Sequence, residues 1–222
     1  MKKLFIIPLM FIAFQLNSFS QMVDQSTFSN DWELVAARSS ALKLNYDNIE
    51  GSPYYSARPV NCVVTLIDGS IMNLPLHYDL FLDQIEHKKA DQILWINKKD
   101  VKSVDYGGDL MVVSPLPDDT SKLAYFFLHS PGKYSVYVKK SVAYNPYVPA
   151  RPYADPIPAK FVDKKDDYYL KADDKPLTRL SSKKDLSTVF SDNKAALDFI
   201  KKEKISHNKL DDLKKLVDFV NK

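Results

Sequence analysis

Apolar residues are spaced differently in the two main parts of the chain, and the spacing predicts different elements in each. From about residue 60 to 180, short runs of β-branched and aromatic residues alternate with turn-forming pairs, which is typical of antiparallel strands. The pair Asp68-Gly69 separates the runs 60–67 and 70–76 and predicts a hairpin with a type I′ turn. Further strands are predicted at 84–87, 93–97, 101–106, 110–113, 123–129, 134–140 and 167–170.

The last forty residues show helical spacing, and three short helices are predicted there. In the third helix an apolar stripe is formed by Leu210, Leu213, Leu216, Val217 and Val220. Because such a stripe needs a partner surface, we expect the helices to pack on the β part. The predicted caps of the three helices are Ser182 with Asp185, Ser191 or Asp192, and Asn208 with Asp211.

These patterns predict an α+β fold. An antiparallel sheet, strongly curved or closed into a partial barrel or sandwich, is expected over 57–180, followed by a C-terminal cluster of short helices over 181–222. The segment 21–56 is expected to pack on this domain. Ser29 or Asn30 is suited to cap a helix, which predicts helical structure over 31–38.

The first twenty residues have the features of a secretory signal peptide. Lys2 and Lys3 precede an apolar run over 4–16, and Ser18 and Ser20 supply small residues ahead of Gln21. We therefore predict cleavage before Gln21. The remainder has no apolar run long enough for a transmembrane helix, so a soluble periplasmic product is expected, with the cell envelope or the medium as alternatives.

Charge and cysteine content narrow the functional classes. The formal net charge is +3, and loss of Lys2 and Lys3 would reduce it to +1. A nearly neutral surface gives no general attraction to nucleic acid or anionic lipid. The single cysteine, Cys62, can form no intrachain disulfide, and its apolar surroundings predict a buried strand residue, with any further role left open.

Motifs for the common catalytic and cofactor sites are missing from the sequence. There is no Gly-x-Ser-x-Gly elbow, and the five glycines form neither a phosphate-binding loop nor a dinucleotide fingerprint. The four histidines are scattered without zinc-ligand spacing. We therefore expect no cofactor and no metal site.

The segment 144–158 is rich in proline and tyrosine and predicts an extended, polyproline-like loop. One interpretation is structural, with the tyrosine rings packed on the domain. The other is functional, because proline orders the backbone and tyrosine supplies contact area at low entropic cost. The candidate binding residues are Tyr144, Tyr147, Arg151 and Tyr153.

A second candidate lies in the hairpin at 77–87, where polar residues that could transfer protons are concentrated. His77, Asp79, Asp83 and Glu86 occur within ten positions of one another. A histidine beside carboxylates would suit a hydrolase of unrecognised type. The alternative is the ordinary polar face of a half-exposed hairpin.

Three stretches carry a family resemblance: 48–54, the Asp68-Gly69 pair, and 74–86. Together with the Leu-x-x-Leu pattern and a late asparagine in the C-terminal helices, they resemble exported proteins of unknown function common in Bacteroidota-type bacteria. The resemblance implies export and a shared fold, with no activity to carry over. We therefore expect a non-enzymatic, envelope-associated protein that binds a protein or glycan partner, with its oligomeric state left open.

Overall fold

A computed structural model describes residues 32–34, 45–90, 92–173 and 175–222. The predicted signal peptide, residues 1–20, lies outside these ranges. The strands are β1 (Trp32–Leu34), β2 (Val60–Leu66), β3 (Ile71–Asp79), β4 (Gln84–Lys89), β5 (Gln92–Ile96), β6 (Val101–Tyr106), β7 (Asp109–Leu116), β8 (Asp119–His129), β9 (Tyr134–Lys139), β10 (Val142–Asn145), β11 (Lys160–Asp163), β12 (Asp167–Ala172) and β13 (Thr178–Arg179). The helices are α1 (Lys183–Val189), α2 (Lys194–Lys202) and α3 (Leu210–Val220).

Eleven of these strands form one antiparallel sheet in the order β1-β5-β4-β3-β2-β6-β7-β8-β9-β12-β13, and β10 and β11 form a separate two-stranded sheet. The predicted combination of an antiparallel sheet with three short C-terminal helices is confirmed. None of the helices in the described part of the chain combines the length and apolar character needed to cross a membrane.

The predicted hairpin at Asp68-Gly69 is confirmed, but its turn type is wrong. A type I′ turn needs positive φ at both residues, and of the two only Gly69 has it, at 90°. The Gly69 N–H donates to the Leu66 carbonyl at 3.1 Å, and the Leu66 N–H donates to the Ser70 carbonyl at 2.9 Å. The loop therefore contains three residues, beginning with Ile67, and requires left-handed backbone only at its last position.

Strand β3 belongs to two ladders. Its first part pairs with β2 as far as Leu76 opposite Val60. Its last three residues pair with β4, beginning with His77 opposite Glu86. This change of partner along one strand brings the polar residues of the β3–β4 hairpin next to the segment that precedes β2.

The C-terminal helices pack on the sheet through the predicted apolar stripe. Leu213, Leu216 and Val217 of α3 are fully buried. At the end of α3, the Asn221 amide nitrogen donates to the Tyr134 carbonyl at 2.8 Å and its amide oxygen accepts from the Tyr134 N–H at 2.9 Å. These two bonds attach the helix end to the start of β9.

The helix caps agree with the sequence at α1 and differ at the other two helices. Ser182 and Asp185 form the predicted capping box. Helix α2 is capped by Asn193, whose side chain accepts from the Ala196 N–H, and not by Ser191 or Asp192. Helix α3 follows Lys209 without a side-chain cap. The Asn208 side chain instead accepts from the Ser206 hydroxyl.

The helix predicted over 31–38 is wrong where the structure describes it. Trp32–Leu34 forms strand β1, with Glu33 opposite Trp95 of β5. The other residues of that prediction lie outside the described ranges. The edge of β5 offers these residues backbone hydrogen bonds, and such tertiary pairing outweighs a local capping signal.

Candidate functional site

Residues 142–163 form an antiparallel hairpin, which we call the arm. Beyond the β10–β11 ladder, Val148 and Ile157 exchange two backbone hydrogen bonds of 2.9 Å each. Arg151 and Ala154 exchange two more, of 3.1 and 3.0 Å. The reversal falls at Pro152-Tyr153, and Tyr153 has a φ of 66°. The segment predicted as a polyproline-like loop thus consists of two runs that fold back on each other.

The outer part of the arm is solvent-exposed, with apolar and aromatic side chains among its residues. From 145 to 158 every residue except Val148 is exposed. The exposed fraction is 58% for Tyr147 and 61% for Ile157, and Tyr153 is fully exposed. Backbone pairing, and not burial in the domain, therefore holds this part of the chain in place.

The four candidate binding residues occupy two different environments. Tyr144 is half-buried at the base of the arm, where its ring lies 5.7 Å from that of Phe161 and 6.2 Å from that of Phe81. Tyr147, Arg151 and Tyr153 lie on the exposed part. The structure therefore gives Tyr144 an anchoring position and leaves the other three accessible.

A short parallel bridge between Glu50 and Lys160 fixes the base of the arm. The Glu50 N–H donates to the Ala159 carbonyl at 2.9 Å, and the Phe161 N–H donates to the Glu50 carbonyl at 2.8 Å. The next residue, Gly51, has a φ of 81°, and a Cβ there would lie 2.6 Å from the Phe161 carbonyl oxygen. Only glycine combines this backbone conformation with this close approach.

Asp79 and Glu86 are buried carboxylates in the β3–β4 hairpin. Asp79 Oδ1 accepts from the N–H groups of Phe81 and Leu82, both at 2.8 Å, and its Oδ2 accepts from the Tyr46 hydroxyl at 3.0 Å. Glu86 Oε1 accepts from the Trp95 indole N–H at 3.0 Å, and its Oε2 accepts from the Tyr54 hydroxyl at 3.3 Å. Every oxygen of the two carboxylates thus has a donor.

Burial changes the proton affinity of these groups. It raises the pKa of Glu86 to about 7, against hydrogen bonds that lower it. It also raises the pKa of Asp79, partly offset by the two backbone donors and Tyr46. The pKa values of Tyr46 and Tyr54 lie well above the ordinary range, mainly through burial and then through the neighbouring carboxylates. Both tyrosines therefore remain hydrogen-bond donors.

His77 lies beside this carboxylate pair but faces other partners. Its ring stacks on that of Tyr54, with ring centres 3.8 Å apart and an angle of 4° between the planes. Its Nε2 lies 2.7 Å from the Ser56 carbonyl oxygen, so Nε2 carries the hydrogen. The histidine therefore orders the Tyr54 ring and the segment before β2.

Asp83, the fourth polar residue of the predicted cluster, belongs to a separate ionic group. Its carboxylate lies 2.7 Å from the ammonium groups of both Lys98 and Lys139. It also accepts from the Tyr78 hydroxyl at 2.7 Å. The structure thus brings Asp79 and Glu86 together with His77 alongside, and directs Asp83 towards two lysines.

A cleft of about 450 Å³ lies between the base of the arm and the segment that precedes β2. It connects the two candidate regions, because Tyr54 lines it and also donates to Glu86. Its lining residues are Gly51, Ser52, Tyr54, Tyr55, Leu80, Lys140, Ser141, Phe161, Asp163, Lys164 and Asp166. Most of them carried no signal in the sequence, because they come from stretches that only the fold brings together.

Comparisons with family models, curated proteins and solved structures gave no match to this chain. Within the described ranges, no group of three or more histidine, cysteine, aspartate or glutamate side chains is arranged to hold a metal ion. The arm, the carboxylate pair and the cleft are therefore the features of the described chain that bear on its function.

Proposed function

We propose that this protein is an exported, non-enzymatic component of the cell envelope that binds a protein partner through the arm. The observation that carries the proposal is the exposure of Tyr147, Tyr153 and Ile157 on a hairpin with a fixed backbone. A preordered hairpin loses little conformational entropy on binding, and exposed tyrosines are suited to the centre of an interface.

The composition of the arm favours a protein over a glycan as its partner. Five prolines between 145 and 158 remove backbone donors, and the charged side chains there are Arg151 and Asp155. An oligosaccharide needs many hydrogen bonds, whereas an apolar groove on a protein needs buried ring and aliphatic area. The arm offers more of the latter.

Export is the part of the proposal that depends on the leader. The basic residues, apolar run and small residues within 1–20 support it. Mass spectrometry of the exported protein tests the leader, since the mature chain should begin at Gln21.

We also propose that the sheet is strongly curved. The division of β3 between two ladders supports that curvature.

Photo-crosslinking tests the arm directly. A photoreactive phenylalanine analogue at Tyr147 or Tyr153 should give a covalent adduct with one protein in the envelope of the native host. The matched control is the same analogue at Ile67, which is 68% exposed in the β2–β3 loop. The proposal also expects Tyr147→Ala combined with Tyr153→Ala to abolish capture of that protein without changing the melting temperature. The proposal would be contradicted if the analogue at Ile67 gave the same adducts as the analogue at Tyr147 or Tyr153. It would also be contradicted if the double variant still captured that protein.

A hydrolase near His77, Asp79, Asp83 and Glu86 is the second candidate. It is favoured by one observation, a carboxyl group whose pKa is raised to about 7 behind a tyrosine that lines a cleft. Burial disfavours it, because Glu86 is only 6% exposed and its oxygens are already hydrogen-bonded. Loss of a measured hydrolytic activity in Glu86→Gln, with the fold retained, would support the hydrolase over the binding protein.

A further inference from the structure

The cleft at the base of the arm has the volume of a small-molecule site. Its volume of about 450 Å³ falls within the range of roughly 300–1,000 Å³ that is usual for such sites. Three separate stretches contribute most of its wall: residues 51–55, residues 140–141 before β10, and residues 161–166 at and after β11. None of the exposed residues 145–158 of the arm lines it.

The two tyrosine rings in the wall of the cleft, Tyr54 and Tyr55, are fixed by contacts with other residues of the domain. The Tyr54 ring is fixed by stacking on His77 and by its bond to Glu86. The Tyr55 hydroxyl donates to Asp109 at 2.9 Å, and its ring lies 4.8 Å from that of Phe127. These rings are ordered before any ligand arrives, so binding loses little side-chain entropy.

The charged part of the wall is balanced. Lys140 and Lys164 supply two positive charges, and Asp163 and Asp166 supply two negative charges. Lys140 and Asp166 pair at 2.8 Å. In the described part of the chain, Lys164 and Asp163 form no side-chain hydrogen bond or ion pair with protein groups. One ammonium group and one carboxylate group therefore remain available at the cleft.

This balance disfavours ligands that carry a net charge. A ligand with a net charge of either sign would be attracted by one pair of side chains and repelled by the other. A sugar hydroxyl both donates and accepts, so it suits ammonium and carboxylate groups equally, and Ser52 and Ser141 add further hydroxyls. Its apolar C–H faces can pack on tyrosine.

We propose that this cleft binds a neutral saccharide of one or two sugar units. The site is distinct from the exposed part of the arm and does not depend on the protein partner. The lysine and aspartate that lack protein partners in the described ranges make the hydrogen bonds to the ligand, and the tyrosine walls supply the apolar contact.

Isothermal titration calorimetry of the purified mature protein tests the proposal. The probes are neutral disaccharides of glucose, galactose, mannose and N-acetylglucosamine. Two charged probes are compared with them: a uronic acid disaccharide, which has a net negative charge, and a zwitterionic dipeptide, which places both charges against Lys164 and Asp163. At least one neutral disaccharide should bind more tightly than both charged probes. Asp163→Asn combined with Lys164→Met should weaken that binding about tenfold or more, the effect of losing hydrogen bonds to charged groups.

The matched control is Lys165→Met, which removes an exposed neighbouring lysine that does not line the cleft. It should leave saccharide affinity unchanged. Binding of no neutral disaccharide at millimolar concentration, tighter binding of a charged probe, or equal loss in the control would overturn the proposal. The Tyr147→Ala, Tyr153→Ala variant should keep saccharide binding, so failure here is distinguishable from failure of the arm as a protein-binding element.

Discussion

Glu86 shows how burial of one residue makes the stability of the protein depend on pH. Its pKa in the folded state is raised from 4.5 to about 7. Between these values the folded state binds more protons than the unfolded state, so the free energy of unfolding should fall as pH rises from about 4.5 to 7. Asp79, whose pKa is also raised, adds to the same trend.

The uncharged variant Glu86→Gln should lose most of this pH dependence. At pH 8 it should be more stable than the wild type by up to about 3 kcal/mol, the free-energy equivalent of the pKa shift. Urea denaturation at pH 5 and pH 8 measures both effects. Glu50→Gln, at an exposed position, is the control and should keep the wild-type slope. An unchanged slope in Glu86→Gln would mean that this carboxyl is not the source.

Gly51 lies against the base of the arm, where a side chain has no room. Gly51→Ala should destabilise the protein by about 1–3 kcal/mol or more, through positive φ and through the clash with the Phe161 carbonyl. Gly69→Ala is a matched control, because Gly69 has a φ of 90° but no atom within 4 Å of the place that a Cβ would occupy. Chemical denaturation should show a larger loss at Gly51. Equal losses would mean that the close approach contributes nothing.

For single residues, sequence patterns predict the features that depend on contacts between residues close together in the chain. The capping box at Ser182 depends on residues three positions apart, and the structure confirms it. Cys62, predicted as a buried strand residue, is 1% exposed, and burial raises the pKa of its thiol to about 12. The bonds of Glu86 to Tyr54 and Trp95 depend on tertiary pairing, so no sequence pattern indicates them.

Among the elements, helix α3 provides the clearest test of packing. Leu213→Asp or Val217→Asp would place a charge without a partner in a fully buried position. We expect a loss of several kcal/mol in the free energy of unfolding, about 3–5, or failure to fold. Asp218→Ala, at the exposed position next to Val217, should stay within about 0.5 kcal/mol of wild type. A melting temperature unchanged by both core substitutions would show that α3 contributes little to the domain.

The existence of elements is easier to predict than their partners. The strands predicted around Asp68-Gly69 and in the 101–140 region are confirmed. They could be predicted because apolar runs and turn residues are local signals. For strand β1 the local signal predicts a helix. That prediction is wrong because β1 pairs with β5, whose residues are distant in the sequence. The arm is extended as predicted, but the pairing of its two runs has no local signature when prolines replace ladder donors.

The order of the described strands explains why no sequence pattern indicates the cleft. Neighbours along the chain pair from β2 to β5 and from β6 to β9. The β2–β6 and β9–β12 pairings join parts that are distant in sequence. The cleft depends on this long-range placement, because residues 51–55 lie next to residues 161–166 where Glu50 pairs with Lys160 at the base of the arm.

The prolines of the arm also limit how a strand of another molecule can pair with it. A two-stranded ribbon has outer edges, and unpaired N–H and C=O groups on such edges invite a strand from another molecule. Pro146, Pro149, Pro156 and Pro158 have no N–H to offer, so intermolecular strand addition along the arm is interrupted. Side chains are then the main means of contact with the arm, and its exposed rings lie on edges that disfavour strand addition.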